Sequence, residues 1–314
     1  MTKRVMIALG GNAIKQPHET GSYMEQMSNV ETASNQIAEI ARKGYEIVIT
    51  HGNGPQVGNL AIQQEQGAHM VPAQPLFILG SMTQGQIGYM IQQSLQNELK
   101  NDKQVATVIT QVIVSTDDPD FQDPSKPVGP YYSEETATKL GVENNWIVKK
   151  VKPNGEESWR RVVPSPTPLR IAEAAIIKRM VESGTIVIAS GGGGIPVYRN
   201  RSGKLRGVDA VIDKDRAGAK LAEEVSADIF LILTDVEYAL LNFGTDHEIP
   251  LREITVDQAK QYLSERHFKA GSMGPKVEAA LGFVERGGEH SIITSLDKAV
   301  DAIAGKTGTH IVPN

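Results

Sequence analysis

The chain has no cysteine. Disulfides, thiolate zinc sites and cysteine nucleophiles are therefore excluded, and the reducing cytoplasm is the default compartment. No apolar run approaches the roughly 20 residues that a membrane span needs. Met1-Thr2-Lys3-Arg4 opens like a secretory leader, but the apolar run from Val5 to Leu9 stops at Gly10-Gly11-Asn12, so it reads as a buried strand. Neither secretion nor membrane insertion is expected. Positive charge is not in excess, with 32 Lys and Arg against 37 Asp and Glu and a net charge of -5. A broad nucleic-acid surface, which is built from accumulated Lys and Arg, is excluded on that balance. Fixed-period repeats and low-complexity tracts are also missing. What remains is a globular chain of 314 residues, 40% hydrophobic and 22% charged. Surface scaling predicts about 12,800 Å² exposed when folded, with roughly 74% of the extended surface buried.

The repeating theme is a short apolar strand, a glycine-rich turn and a helix. Strands are predicted at Val5 to Leu9, Glu46 to Thr50, Val105 to Val114, Thr185 to Ser190, Asp228 to Leu233 and, last, Ser291 to Thr294. The Val105 to Val114 run is continuously apolar, as in a parallel sheet covered on both faces. Helical spacing appears at Val30 to Ala41, Gln56 to Gln66, residues 81 to 99, Leu169 to Glu182, Asp215 to Val225, Val256 to Glu265 and Pro275 to Glu285. A hairpin is expected over residues 198 to 208, turning at Ser202-Gly203. From Asp117 to Pro168 the character changes, for eight of the 16 prolines fall there. The expected fold is α/β: an open, mostly parallel sheet with helices on both faces, carrying residues 117 to 168 as an inserted lid with stiff stems, all within one domain.

Eleven of the 30 glycines lie in four short tracts: Gly10-Gly11; Gly52, Gly54 and Gly58; Gly85 and Gly88; and Gly191 to Gly194. Three of these tracts follow predicted strands, at the carboxyl ends where an open α/β sheet forms its ligand crevice. Glycine lets backbone N–H groups approach an anion, and a helix starting just after adds the positive end of its dipole. Phosphate or carboxylate is the expected ligand; tight turns in an ordinary α/β protein would look alike at any single tract. Neither G-x-x-x-x-G-K-[ST] nor G-x-G-x-x-G occurs in these tracts, so the P-loop and Rossmann readings fail. Lys126, Lys214 and Lys276 lie beside glycines or helix starts, and Asp213 and Asp215 flank Lys214. Either aspartate can cap the helix that follows. Several lysines with an organising carboxylate also suit phosphoryl transfer, which relies on positioning and charge stabilisation.

The succession Ala8-Leu9-Gly10-Gly11-Asn12-Ala13, His51-Gly52-Asn53-Gly54-Pro55-Gln56-Val57-Gly58-Asn59, Met82-Thr83-Gln84-Gly85, Ser125-Lys126-Pro127-Val128-Gly129-Pro130, Gly191 to Pro196, Val211-Ile212-Asp213-Lys214-Asp215 and Gly271-Ser272-Met273-Gly274-Pro275-Lys276 resembles the carbamate kinases of the amino acid kinase superfamily. The likeness spans essentially the whole chain. It implies the amino acid kinase fold and reversible phosphoryl transfer between ATP and carbamate, often run toward ATP in arginine fermentation. It also implies magnesium carried on ATP or ADP without a dedicated protein metal site, and a cytoplasmic homodimer formed through sheet-flanking helices. By the same resemblance Gly10, Gly11, Asn12, Gly52, Asn53, Gly54, Gly191, Gly192 and Gly193 hold the acceptor end. Lys214 and Lys276 neutralise the transferring group, Asp215 orients them, and Lys126 enters from the lid. Thr234, Asp235, Val236, Tyr238, Gly271, Met273 and Lys276 border the nucleotide. The stretch Thr234-Asp235-Val236-Glu237-Tyr238 departs from the TDVDG common in the wider family. A carbamate oxygen is already anionic near neutral pH, so no general base is required and His51 is expected to be structural. Two other readings are an acetylglutamate-type kinase and a non-catalytic nucleotide sensor of the same fold; the retained lysines count against the sensor.

Overall fold

The computed structural model describes residues 2–100, 102–268 and 272–314. Its main sheet has eight strands in the order Glu253–Thr255, Thr309–Val312, His290–Ser295, Ile229–Thr234, Arg4–Leu9, Glu46–His51, Ile186–Ala189 and Val105–Val108. The six strands from His290–Ser295 to Val105–Val108 run parallel, while the two at the other edge run the opposite way. The reason the parallel strands read as unbroken apolar runs is visible at the centre. Along Arg4–Leu9, Met6 and Ala8 join the core on one face, and Val5, Ile7 and Leu9 join the core on the other. Helices Tyr23–Arg42 and Leu76–Leu99 supply Val30, Ile37, Ile87 and Ile91 to the second core. Ala174–Glu182, Lys214–Glu224, Val256–Ser264 and Met273–Glu285 cover the first. Burial on both faces is the arrangement expected of a parallel sheet.

Three sequence expectations change. The run Val105 to Val114 is not one strand: Val105–Val108 stays in the main sheet, whereas Gln111–Ile113 joins a second sheet with Arg170–Ile171, Ile195–Arg199 and Leu205–Gly207. Thr110 breaks it. The Gln84 side chain accepts from Thr110 N (2.8 Å) and donates to its carbonyl (3.2 Å), which also accepts from Ile195 N (2.9 Å), so the N–H is withdrawn from the main sheet while the carbonyl already serves the second. The expected helix from Leu169 to Glu182 begins only at Ala174, because Arg170–Ile171 pairs with Gln111–Ile113. Ser291 to Thr294 is not the last strand, since Thr309–Val312 follows and pairs antiparallel to it. The hairpin at Ser202-Gly203 forms as expected, with Arg199 opposite Leu205.

Within the proline-rich segment, Lys126–Tyr132, Trp159–Val163 and Ile147–Lys150 form a separate three-stranded antiparallel sheet, accompanied by helix Glu134–Asn144. Its two stems lie side by side. Asp118 accepts from Thr167 N at 2.9 Å, and Asp120 accepts from Ser165 N. The total surface, 15122 Å², exceeds the scaling expectation, consistent with a module standing off the main sheet. Because the stems are adjacent, replacing residues 118 to 163 by a short flexible linker is expected to leave a protein that melts cooperatively and binds nucleotide but turns over poorly. Calorimetry and nucleotide titration check this; loss of the cooperative transition would make the segment part of the core.

Candidate active site

The carboxyl ends of Arg4–Leu9, Glu46–His51, Ile186–Ala189 and Ile229–Thr234 point the same way, and the connections after the neighbouring first and last of these leave to opposite faces. That geometry opens a crevice at the strand ends. Gly10 extends the first strand, with its N–H donating to Leu233 O at 2.9 Å, and a Cβ there would lie 2.9 Å from the same oxygen. Gly52 N donates to Leu9 O at 3.0 Å, and a Cβ on Gly52 would press on Gly11 N at 3.1 Å. These glycines let two strand-end loops touch backbone to backbone. In the third loop, Gly192 and Gly193 adopt φ of +64° and +91°, and side chains there would collide with Asn53 and with the Ile212 carbonyl. Glycine is needed for both reasons.

A cleft of about 420 Å³ lies over these loops, lined by Gly11, Gly52, Asn53, Gly54 and Gly192 together with Lys126, Asp213, Lys214, Asp215, Ser272 and Lys276. Helices Gly54–Gly67, Lys214–Glu224 and Met273–Glu285 all begin at its wall. Three positive dipole ends therefore converge on it. The charged side chains among the lining are three lysines and two aspartates. Asp215, only 3% exposed, takes Lys214 Nζ on Oδ1 at 2.5 Å and Lys276 Nζ on Oδ2 at 3.7 Å. One carboxylate thus sets the spacing of two ammonium groups. Asp213 is the helix cap: its Oδ1 accepts from Asp215 N (3.0 Å) and Arg216 N (3.3 Å). The two adjacent carboxylates, indistinguishable in sequence, have different partners in space.

The remaining expected residues fall into place unevenly. Asn53 is buried with its Nδ2 donating to Thr83 Oγ1 at 2.8 Å, which gives the Met82-Thr83-Gln84-Gly85 motif its structural part alongside Gln84. Gly191 and Gly193 are buried behind Gly192. Gly10, Asn12, Thr234, Asp235, Val236 and Tyr238 are outside the cleft lining. Asn12 Nδ2 reaches Asp235 Oδ2 at 3.3 Å, and Tyr238 Oη pairs with Thr307 Oγ1 at 2.8 Å. Met273 packs against the hydrophobic core. Gly271 lies outside the described residues. Sequence reading gave Asp213 and Ser272 no role in the site, although both lie within its quoted motifs and Asp213 flanks Lys214.

His51 is fully buried, its Nδ1 at 2.9 Å from Gly52 O, and a Cβ on Gly191 would strike its ring. Burial, aided by the Lys214 charge and opposed by the Gly52 carbonyl, lowers its pKa to about 4. An unfolded histidine near 6.5 binds its proton first as pH falls, so this contribution is complete above pH 6.5 and is lost between about 6.5 and 4, on the order of 3 kcal/mol. His51→Gln is expected to flatten the fall in unfolding free energy between pH 6.5 and 4.5, measured by denaturant titration at several pH values. An unchanged slope would remove His51 as its source. Asp215→Asn is expected to cut turnover by about 10² or more with melting little changed, because Asp213 holds the cap. Parallel melting and kinetic measurements distinguish this from a stability effect.

Residues 3–295 match the family model described as the amino acid kinase family. The carbamate kinase of Pyrococcus furiosus is 58% identical over 318 residues, covering 100% of both chains. That of Halobacterium salinarum is 47% identical, covering 98% of each. Among solved structures, carbamate kinase from Giardia lamblia bound to AMP-PNP superposes with a TM-score of 0.94 at 44% identity, covering 100% of this chain and 99% of that one. Full-length matches of this kind, on a sheet and cleft of this geometry, place the chain in the amino acid kinase family, in its carbamate kinase branch.

Proposed function

We propose that the protein catalyses reversible phosphoryl transfer between ATP and carbamate, giving ADP and carbamoyl phosphate. The observation that carries this reading is the Lys214–Asp215–Lys276 arrangement beside the glycine loops, where three helices begin. Two anionic reactants must be held together against their repulsion, and fixed cations with converging backbone dipoles offset it. The acceptor is already ionised, so the chemistry asks for no proton transfer from a side chain. Gly11, Gly52, Asn53, Gly54 and the Gly191–Gly193 loop form the acceptor side. Lys214 and Lys276 meet the transferring group, and Lys126 approaches from the inserted module, which acts as the lid. Thr234 to Tyr238, Gly271 and Met273 border the nucleotide, a role supported by the family likeness.

Magnesium belongs to the nucleotide in this reading. Both cleft carboxylates are engaged by lysines. The ion would be held mainly through phosphate oxygens, as magnesium commonly is. A cytoplasmic homodimer and service in arginine fermentation complete the proposal. Tyr23, Met24 and Tyr89, exposed on the sheet-flanking helices, support the dimer. No helix among the described residues is long and apolar enough to cross a membrane.

A coupled assay supplying ADP with carbamoyl phosphate, and separately with acetylglutamyl phosphate, tests the acceptor: ATP is expected to form only from the first. Lys214→Ala and Lys276→Ala are each expected to lower kcat by about 10² to 10⁴ with little change in KM, as befits charges acting on the transition state. Near-parental turnover in either variant would overturn its role.

A further inference from the structure

The carboxylate of Asp213 has two oxygens with two separate tasks. Oδ1 caps the helix that carries Lys214 and Asp215, and Oδ2 accepts from Lys126 Nζ of the inserted module at 3.3 Å. We infer that Asp213 is a positioning residue that registers the module's lysine against the catalytic helix, so that Lys126 lies across the cleft only while this pair holds. The inference rests on the functional reading above in taking Lys126 as a charge that serves the phosphoryl group.

Few other contacts hold the module down, which is why one pair matters. Beside the cap, Val211 N donates to Pro164 O at 2.8 Å, and Asp209 pairs with Arg161 at 2.9 Å. Farther off, Tyr132 Oη donates to Glu65 at 3.0 Å. Among the described residues, apolar contact comes from a small cluster around Val57, Leu79 and Val128 and from Phe121 against the main core, and beside that cluster a cavity of about 480 Å³ opens between the module and helix Gly54–Gly67. A body seated so lightly on stiff stems is free to tilt. Lys126 is the module residue that reaches the cleft wall, and Asp213 holds it at the height of the helix N-terminus. The carboxylate is mostly buried. Burial pushes its pKa up, but the charges of Lys126 and Lys214 prevail and hold it below the ordinary value, so it stays ionised at neutral pH. Its partner Lys126 is more exposed, 38% for the side chain, and can leave for a stronger anion.

Asparagine caps helices as well as aspartate does but carries no charge. Asp213→Asn therefore removes the Lys126 pair and keeps the cap, whereas Asp213→Ala removes both. Asp213→Asn is expected to melt like the parent, to lose about tenfold in kcat with KM for the nucleotide changed less than about twofold, and to raise amide exchange over Lys126–Tyr132. Asp213→Ala should in addition melt a few degrees lower. The double variant Lys126→Ala with Asp213→Asn should match Lys126→Ala alone in both kcat and exchange, because each change removes the same contact. Multiplied losses in the double variant, or exchange over Lys126–Tyr132 that does not move in Asp213→Asn, would overturn the inference. If Lys126→Ala leaves turnover intact, the catalytic part of Lys126 falls instead. Exchange then decides the registering role by itself: equal increases in the two single variants keep it, and no increase removes it.

Discussion

Two ammonium groups do not share a small cleft without a counter-charge, and Asp215 supplies it. At an effective dielectric of about 20, unit charges 5 Å apart repel by about 3 kcal/mol. A carboxylate between them turns that repulsion into two attractions. Asp215 can do so because it sits on the second residue of a helix whose cap is provided by its neighbour Asp213. Free of capping duty, it turns both oxygens toward lysines, one from its own helix and one from the helix Met273–Glu285. The rest of the site follows from where that helix starts, and that position is fixed by the sheet.

The loops opposite are shaped by what they cannot contain. Between Ser190 and Gly194 the backbone repeatedly enters the left-handed region, and Ser190 itself holds φ of +56°. Such a residue persists where its surroundings over-determine it. Ser190 N donates to Thr110 Oγ1 at 2.9 Å, and its carbonyl accepts from Thr50 Oγ1 at 2.8 Å. Thr110 is in turn bracketed by Gln84. A chain of buried polar contacts thus runs from helix Leu76–Leu99 to the floor of the cleft, and the same Gln84 that diverts the chain into the second sheet also steadies the glycine loop. The Ser190 hydroxyl itself has no hydrogen-bond partner among the described residues, so it is the paired backbone and side-chain groups around it that fix the geometry.

Much of this fold was legible because a buried parallel sheet writes itself as apolar runs ended by glycine. The central strands and most helices follow that rule. What the sequence concealed depends on partners far along the chain. Nothing near Val105 to Val114 marks the break at Thr110, since the agent is a glutamine on another element. Arg170–Ile171 is too short to show a period, and Thr309–Val312 is a brief edge strand whose direction is set by pairing. In the site, the glycine tracts were readable from physical reasoning, whereas the lysines took their roles from family likeness. The division of labour between Asp213 and Asp215 came only from that likeness, which gave the orienting role to Asp215, because both occupy positions where a carboxylate favours a helix start.

The strand Arg4–Leu9 precedes both of its sheet neighbours in the chain and lies in the middle of the sheet, between Glu46–His51 and Ile229–Thr234. One side is paired early. The other must wait for a strand made after the whole inserted module and most of the helices. Through that interval the nascent chain carries an open apolar edge, the kind of surface that invites wrong pairing. The centre of the sheet is therefore complete only once Ile229–Thr234 has been made and paired.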